Sequence, residues 1–380
     1  MLESLRRLGA TDETVLAAMS NVPRHRFVER FWWSPPSERW SRENAIEFQA
    51  MQGFSDHALQ AIYEPTTALL TRLPPAGTSA TSSVSAPIIV ASMLAEMHLE
   101  FDLRVLEIGT GSGYNAALLA ELVGDPALVT TIDLDSGLTD EAAARLERMG
   151  FERLVVRCGD GAGGVADRAP FDRIVATVGC RDVSPAWIEQ MNADGELLVP
   201  LEHGAMHPRV VIRRSEEGVT GRFVGRSAFV RMQGVQADHQ LWTGDMTRPA
   251  DLQVSSLPPS VAESFAGKAS ERDVMRRFWD FSTYLSIRDR RAVSGLGLGD
   301  GVSIAFMENG AICRAGADGL ELATRLLAIA RDWIELGLPD IDRYGMRFVP
   351  RSGNLPPADS PDGPWTIERI DYRQEIHLIS

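Results

Sequence analysis

A chain of 380 residues, 44% hydrophobic and 24% charged, is long enough for two domains with buried cores, and its 38 basic against 52 acidic side chains leave a net charge of −14. That balance argues against nucleic acid or an anionic membrane surface as the main partner, although Arg24, Arg26 and Arg30 leave room for a local basic groove. No apolar run reaches the length of a membrane span and the opening Met1-Leu-Glu-Ser-Leu-Arg-Arg-Leu lacks the apolar core of an export signal, so a cytoplasmic protein is expected.

Residues 12–21 read as a helix capped by Thr11, with Val15, Leu16 and Met19 on one face and Pro23 closing it. The stretch Phe31-Trp-Trp-Ser-Pro-Pro-Ser-Glu-Arg-Trp40 follows. Pro35 and Pro36 forbid a continuous helix there, so Trp32, Trp33 and Trp40 form either a packed corner or an exposed peptide-contact surface. Next comes Ser82-Ser-Val-Ser-Ala-Pro87, ahead of a helix at 88–97. Its hydroxyls either cap that helix or, with the free N–H groups of the helix start, offer a place to an anion.

From residue 104 the pattern alternates, with strands expected at 104–108, 128–133, 154–158, 171–176 and 195–199 and helices at 114–123, 137–149 and 184–192. Such alternation predicts a mainly parallel, Rossmann-like α/β sheet with ligands outside the strand C-termini. Strands at 209–214 and 222–231 around Glu216-Glu-Gly218 predict an antiparallel edge hairpin. After Gly234 the pattern changes. Val274, Phe278, Phe281 and Leu285 mark an amphipathic helix, a strand is expected at 302–307, and Leu322, Leu326, Ile329 and Trp333 mark a helix at 319–336. Residues 352–364 hold too many breakers for regular structure. The expected organisation is an α/β domain at 1–234 and an additional C-terminal α+β domain at 235–380.

The densest chemistry lies in Val105-Leu-Glu-Ile-Gly-Thr-Gly-Ser-Gly-Tyr114, an apolar strand running into Glu107 and then Gly109, Gly111 and Gly113. Glycine lets the backbone turn tightly and lets a ligand lie against it. Asp133 falls at the distance expected of an acid that takes ribose hydroxyls. The spacing differs from that of a dinucleotide loop, and Glu107 repels phosphates while suiting a cationic ligand, which points to S-adenosylmethionine rather than NAD. Other candidates carry less. His203 and His207 have i,i+4 spacing but sit in a Gly- and Pro-containing loop, so no metal is expected. Gly295, Gly297, Gly299 and Gly301 follow polar residues instead of a strand and read as a flexible linker. Cys158, Cys180 and Cys313 lack C-x-x-C spacing and read as reduced thiols, His25 reads as a packed residue, and no serine stands in a G-x-S-x-G elbow.

Asn21-Val-Pro-Arg-His-Arg-Phe-Val28, the Ser-Val-Ser-Ala-Pro run, Val105 to Tyr114, Gly159-Asp-Gly161 and Ala169-Pro-Phe-Asp-Arg-Ile-Val175 occur in the order in which similar motifs occur in protein-L-isoaspartate O-methyltransferases. The resemblance covers about residues 10–235. It implies methyl transfer from S-adenosylmethionine to a carboxylate of a peptide. It also implies that Glu107, Gly109, Thr110, Gly111, Ser112 and Gly113 border the methionine part, that Asp133 takes the ribose, and that Asp160 with Gly161 borders the adenine. Ser85 matches the family's active-site serine and Ser83 its neighbouring threonine; with Val178 and Gly179 they would form the acceptor side.

Two departures bear on the acceptor. Tyr63-Glu-Pro-Thr-Thr and the longer Leu73–Ser82 loop replace the family's usual approach to that serine, and some 145 residues follow where the repair enzymes end. Both features resemble methyltransferases encoded with ribosomally made, modified peptides such as lanthipeptides, lasso peptides and graspetides. The expectation is therefore methylation of an aspartate in a constrained peptide, followed by formation of an aspartimide that is open to hydrolysis to isoaspartate, with residues 235–380 recruiting that peptide. A repair methyltransferase for isoaspartyl proteins and a non-catalytic peptide-binding module are the alternatives.

Overall fold

The computed structural model describes residues 1–38, 40–50, 53–74, 80–204, 206–216, 218–237, 249, 251–266, 271–293, 296–351 and 364–379. They fall into two compact units, the first of residues 1–180, 184–199 and 229–237, the second of 181–183, 200–228 and 238–380. The division therefore differs from a single cut at 234/235, because the expected edge hairpin groups with the C-terminal segments. Within the second unit its strand Gly218–Ser227 pairs antiparallel with Tyr344–Pro350.

The first unit is built on a parallel sheet of Val105–Ile108, Val129–Asp133, Val155–Cys158, Phe171–Ala176 and Met191–Pro200, the last up to Val199. Numbered one to five in chain order, these strands lie 3-2-1-4-5, a doubly wound arrangement whose order reverses between the first and fourth. All four residues of Val105–Ile108 are buried, as a strand covered by helices on both faces requires. The helix Ser136–Arg148 buries Leu138, Ala142 and Leu146, one residue per turn. In front of this sheet in the chain, Arg30–Trp33, Ile46–Gln49, Leu69–Arg72 and Ser82–Val84 form a small antiparallel sheet. Part of the tryptophan stretch is thus a strand. Trp33 is buried and donates to Thr67 Oγ1 at 2.7 Å, which favours the packed reading for this residue. The N-terminal helix Glu13–Asn21 is capped by Asp12, whose carboxylate accepts from the Thr14 and Val15 amides, so Thr11 is not the cap.

The second unit contains an antiparallel sheet of His207–Ser215, Gly218–Ser227, Tyr344–Pro350, Tyr372–Leu378 and Trp365–Glu368, and a second sheet led by Ile304–Glu308 and Ala311–Ala315. Gly297–Gly299 is a strand of that second sheet, paired with Ile304–Glu308, so this glycine repeat is not a linker; Gly295 lies outside the described residues. The helices Glu271–Arg288 and Gly319–Glu335 form where expected; Phe281, Leu285, Leu322, Leu326, Ile329 and Trp333 are inaccessible, whereas Val274 and Phe278 are only partly buried. Asp182 is fully buried yet accepts from the amides of Asp371, Tyr372 and Val183, which ties the start of this unit to its last strand. Most of the breaker-rich segment, residues 352–363, lies outside the described residues. Among the described residues no helix is long and apolar enough to cross a membrane.

Candidate active site

Where the strand order of the first unit reverses, the chain ends of the first and fourth strands separate and leave a cavity of about 520 Å³, within the range of cofactor sites. Of the residues singled out from sequence, Ser83, Ser85, Glu107, Gly109, Thr110, Gly111, Ser112, Asp133, Gly161 and Val178 border it.

The glycine loop has the conformation that only glycine adopts without strain. Gly109 has φ +101, and a Cβ there would come within 2.8 Å of Thr177 Oγ1 and 2.9 Å of Val178 Cγ1. Gly111, at φ +51, donates its N–H to Asp133 Oδ2 at 3.0 Å, so the acid placed for a ribose also holds the loop. Asp133 Oδ1 accepts from the Asp135 amide at 3.2 Å. Gly113 does not border the cavity. It opens the helix Tyr114–Val123 and leaves the room that Ala142 and Leu146 of the neighbouring helix occupy.

Glu107 borders the cavity from a fully buried position, accepting from Thr131 Oγ1 at 2.7 Å and Asn115 Nδ2 at 2.8 Å. Burial pushes its carboxyl up to about 7 against the pull of those two donors, and the Asp133 charge adds to the rise. Asn115 and Thr131 carry no sequence signal of this duty beyond lying after the loop and on the adjacent strand.

Asp160 departs from its expected place. Its Oδ1 accepts from the Ala162 amide and its Oδ2 from the Val235 amide, both at 2.9 Å, and a Cβ on Gly234 would run into this carboxylate. Asp160 thereby clamps the returning segment 229–237, and only its neighbour Gly161 borders the cavity. Gly179 likewise holds that segment through its backbone instead of facing the cavity: it donates to Val230 O and accepts from the Met232 amide. Phe229, Val230, Arg231, Met232 and Gln233 therefore form a wall that local patterning, which placed 222–231 in an edge strand, could not reveal.

On the opposite side stands the strand Ser82–Val84, paired with Leu69–Arg72. A Cβ on Gly111 would lie 3.7 Å from Ser83 O, so this strand meets the glycine loop directly. The helix Pro87–Glu96 begins at Ala86 and has no side-chain cap, so neither Ser83 nor Ser85 is a capping residue. The strand end is fixed from behind by Arg24, fully buried, which donates to Ile62 O and Val84 O and lies over the Tyr114 ring. Arg24 is thus a strut and not part of a basic groove, while Arg30 pairs with Glu47.

The charges bordering the cavity are those of Glu107, Asp133, Asp135 and Arg231. Three acids suit a sulfonium or ammonium and oppose a pyrophosphate, so the residues present fit S-adenosylmethionine. Because Glu107 holds its proton up to about pH 7 without ligand, binding a cation beside it releases a proton, and affinity is expected to strengthen as pH rises to that point, by as much as about tenfold per unit. Calorimetry of the wild type and Glu107→Gln between about pH 5.5 and 8 checks this linkage. The variant is expected to be flat, and a flat wild-type profile would remove Glu107 as a charge partner.

A protein-family model described as Protein-L-isoaspartate(D-aspartate) O-methyltransferase matches residues 71–236. A protein-L-isoaspartate O-methyltransferase of Opitutus terrae is 39% identical over 207 residues, 54% of this chain and 73% of the relative. One of Methanococcoides burtonii is 32% identical over 236 residues, 62% of this chain and 98% of the relative. A solved structure of a protein-L-isoaspartate O-methyltransferase superposes with a TM-score of 0.52 at 20% identity, covering 91% of this chain and 94% of its own, a likeness of fold.

Proposed function

As the chain belongs to the protein-L-isoaspartate O-methyltransferase family, S-adenosylmethionine-dependent carboxyl methyltransferases, we propose that it methylates the free carboxylate of L-isoaspartyl residues in peptides and proteins. The observation that carries this reading is the meeting of Ser83 and Ser85, neither spent on capping, with the glycine loop around one cavity. When bound, S-adenosylmethionine supplies a methyl group on a sulfonium, which an ionised carboxylate attacks directly. The acceptor is already ionised at neutral pH, so the protein needs no general base. Its residues have to hold the carboxylate in line and keep water away, and positioning of that kind supplies much of a barrier reduction. Ser83 and Ser85 present hydroxyls to the carboxylate, Asp133 and the loop hold the donor, and Arg24 holds the carbonyl of Val84, between the two serines. Two peptides identical except for isoaspartate or aspartate at one position test the reading. Methyl transfer to the isoaspartyl peptide alone is expected, and transfer to the aspartyl peptide alone would overturn it.

A second reading, methylation of an aspartate in a modified ribosomal peptide with later loss of methanol to an aspartimide, draws on the approach to the serines. Glu64 accepts from the amides and hydroxyls of both Thr66 and Thr67, giving Tyr63–Thr67 a rigid turn of its own. Residues 235–380 would serve there as the recruiting surface. Methanol loss after methylation of a constrained aspartyl peptide, with no activity on linear isoaspartyl peptides, favours this second reading.

A further inference from the structure

Glu107 is held by a chain of groups that reaches behind the cavity wall. Asn115 Nδ2 donates to its Oε1 at 2.8 Å, Thr131 Oγ1 donates to its Oε2 at 2.7 Å, and Thr131 Oγ1 stands 2.8 Å from Thr110 Oγ1. Glu107 and Thr131 are register partners on adjacent parallel strands, so their side chains leave the sheet side by side, and Thr110 follows in the glycine loop. Glu107 and Thr131 are fully buried and Thr110 nearly so. Glu107, Thr110 and Asn115 border the cavity, whereas Thr131 does not. Thr131 thus meets no ligand, yet it links two residues that border the ligand's place.

The hydrogens give this chain a direction. A hydroxyl donates one hydrogen and a carboxylate none. While Glu107 is ionised, Thr131 spends its hydrogen on Oε2, so the contact between the two threonines takes the hydrogen of Thr110. The Thr110 oxygen then offers the cavity only lone pairs. A proton on Oε2 reverses the order: the carboxyl donates to Thr131, Thr131 donates to Thr110, and the Thr110 hydrogen turns out to the ligand. Beyond this chain, the register partner of Glu107 on the fourth strand is the apolar Val175. The other charges bordering the cavity are Asp133, which pushes the Glu107 carboxyl up, Asp135 and Arg231.

S-adenosylmethionine carries two positive centres, and they ask different things of this wall. A sulfonium has no N–H, whereas the ammonium of the methionine part has three and needs acceptors as well as a negative charge. We propose that Thr131 is a positioning residue that fixes the Glu107 carboxylate and ties its charge to the Thr110 hydroxyl, so that the ionised chain presents the ammonium with a charge and an added acceptor. This coupling serves the donor alone and holds whichever carboxylate is methylated.

The test titrates S-adenosylhomocysteine, which keeps the ammonium and lacks the sulfonium charge, and its deamino analogue into the full-length wild type, Thr131→Val, Thr131→Ser and Thr110→Val, by calorimetry between about pH 5.5 and 8.5. The Thr131 hydroxyl favours the ionised carboxylate, so without it Glu107 keeps its proton to higher pH. Thr131→Val is therefore expected to bind S-adenosylhomocysteine about fivefold to tenfold more weakly than the wild type near pH 6, with the gap closing toward about pH 8.5. Thr131→Ser should restore the wild-type profile. Thr110→Val should lose affinity about threefold to tenfold at every pH, with the break in the profile in place. The deamino analogue should show none of these differences. A flat wild-type profile, a folded Thr131→Val that follows the wild type, a Thr131→Ser that does not restore the profile, or the same gap with the deamino analogue overturns the inference. If Thr131→Val does not fold, Thr110→Val decides: a loss at every pH confined to the ligand with the ammonium supports the coupling, and unchanged affinity overturns it.

Discussion

Replacing Asp133 with alanine raises the dissociation constant for S-adenosylmethionine by roughly tenfold to a hundredfold, the range expected for losing charged hydrogen bonds to a ribose. The carboxylate does more than face a ligand. Its Oδ2 accepts the Gly111 amide and its Oδ1 the Asp135 amide, so the alanine variant also releases the glycine loop from the second strand and leaves two donors to solvent. Asp133→Asn separates these effects because its amide oxygen can keep one of the two backbone bonds. An affinity for Asp133→Asn between those of the wild type and Asp133→Ala is expected by calorimetry, with kcat at saturating cofactor changed less than affinity in both. Unchanged affinity in the alanine variant would mean that this strand end does not serve the donor.

Ser85→Ala is expected to cut kcat roughly tenfold to a hundredfold, as the loss of a group that aligns a reacting atom does. Cofactor affinity should be retained. The fold should be retained too, since Ala86 and not Ser85 stands at the start of the helix and no cap is removed; the stability change should stay within about 0.5 kcal/mol. Adding Ser83→Ala should cost less than the sum of the two single effects, because both hydroxyls serve one carboxylate. A melting temperature that falls sharply while activity per folded molecule holds would show a structural duty instead.

The parallel sheet and the glycine loop were legible because their signals are local. An apolar strand, a φ-demanding turn and a helix follow one another within Val105–Val123, and the period of Leu138, Ala142 and Leu146 tells which face of its helix is buried. What remained hidden depends on chain returning from far away. Arg231 enters the cavity through bonds to Gly179, and Asp160 turns from a ligand candidate into a clamp because Val235 comes back to it, contacts of 52 and 75 residues that no period encodes. Gly113 looked like its neighbours in the loop, but it does not border the cavity, and its φ of +85 with Ala142 Cβ 3.3 Å from where a Cβ would stand is what calls for glycine there. Gly297–Gly299 lacks the side chains that mark a strand and was fixed by its partner Ile304–Glu308. The solved structure that covers 91% of this chain at 20% identity shares its fold, and that likeness carries no reading of what the C-terminal unit does. Nor would ending the chain near Val235 spare the first unit alone, since it strips Tyr344–Pro350 from the strand Gly218–Ser227.

The acceptor is tested most directly by mass spectrometry of an isoaspartyl peptide incubated with the full-length protein and S-adenosylmethionine. The peptide is predicted to gain one methyl group, mapped by fragmentation to the isoaspartyl residue and lost as methanol in mild base, while its aspartyl twin stays unchanged. A methyl group appearing only on the aspartyl twin, or on a residue without a carboxylate, would contradict the account.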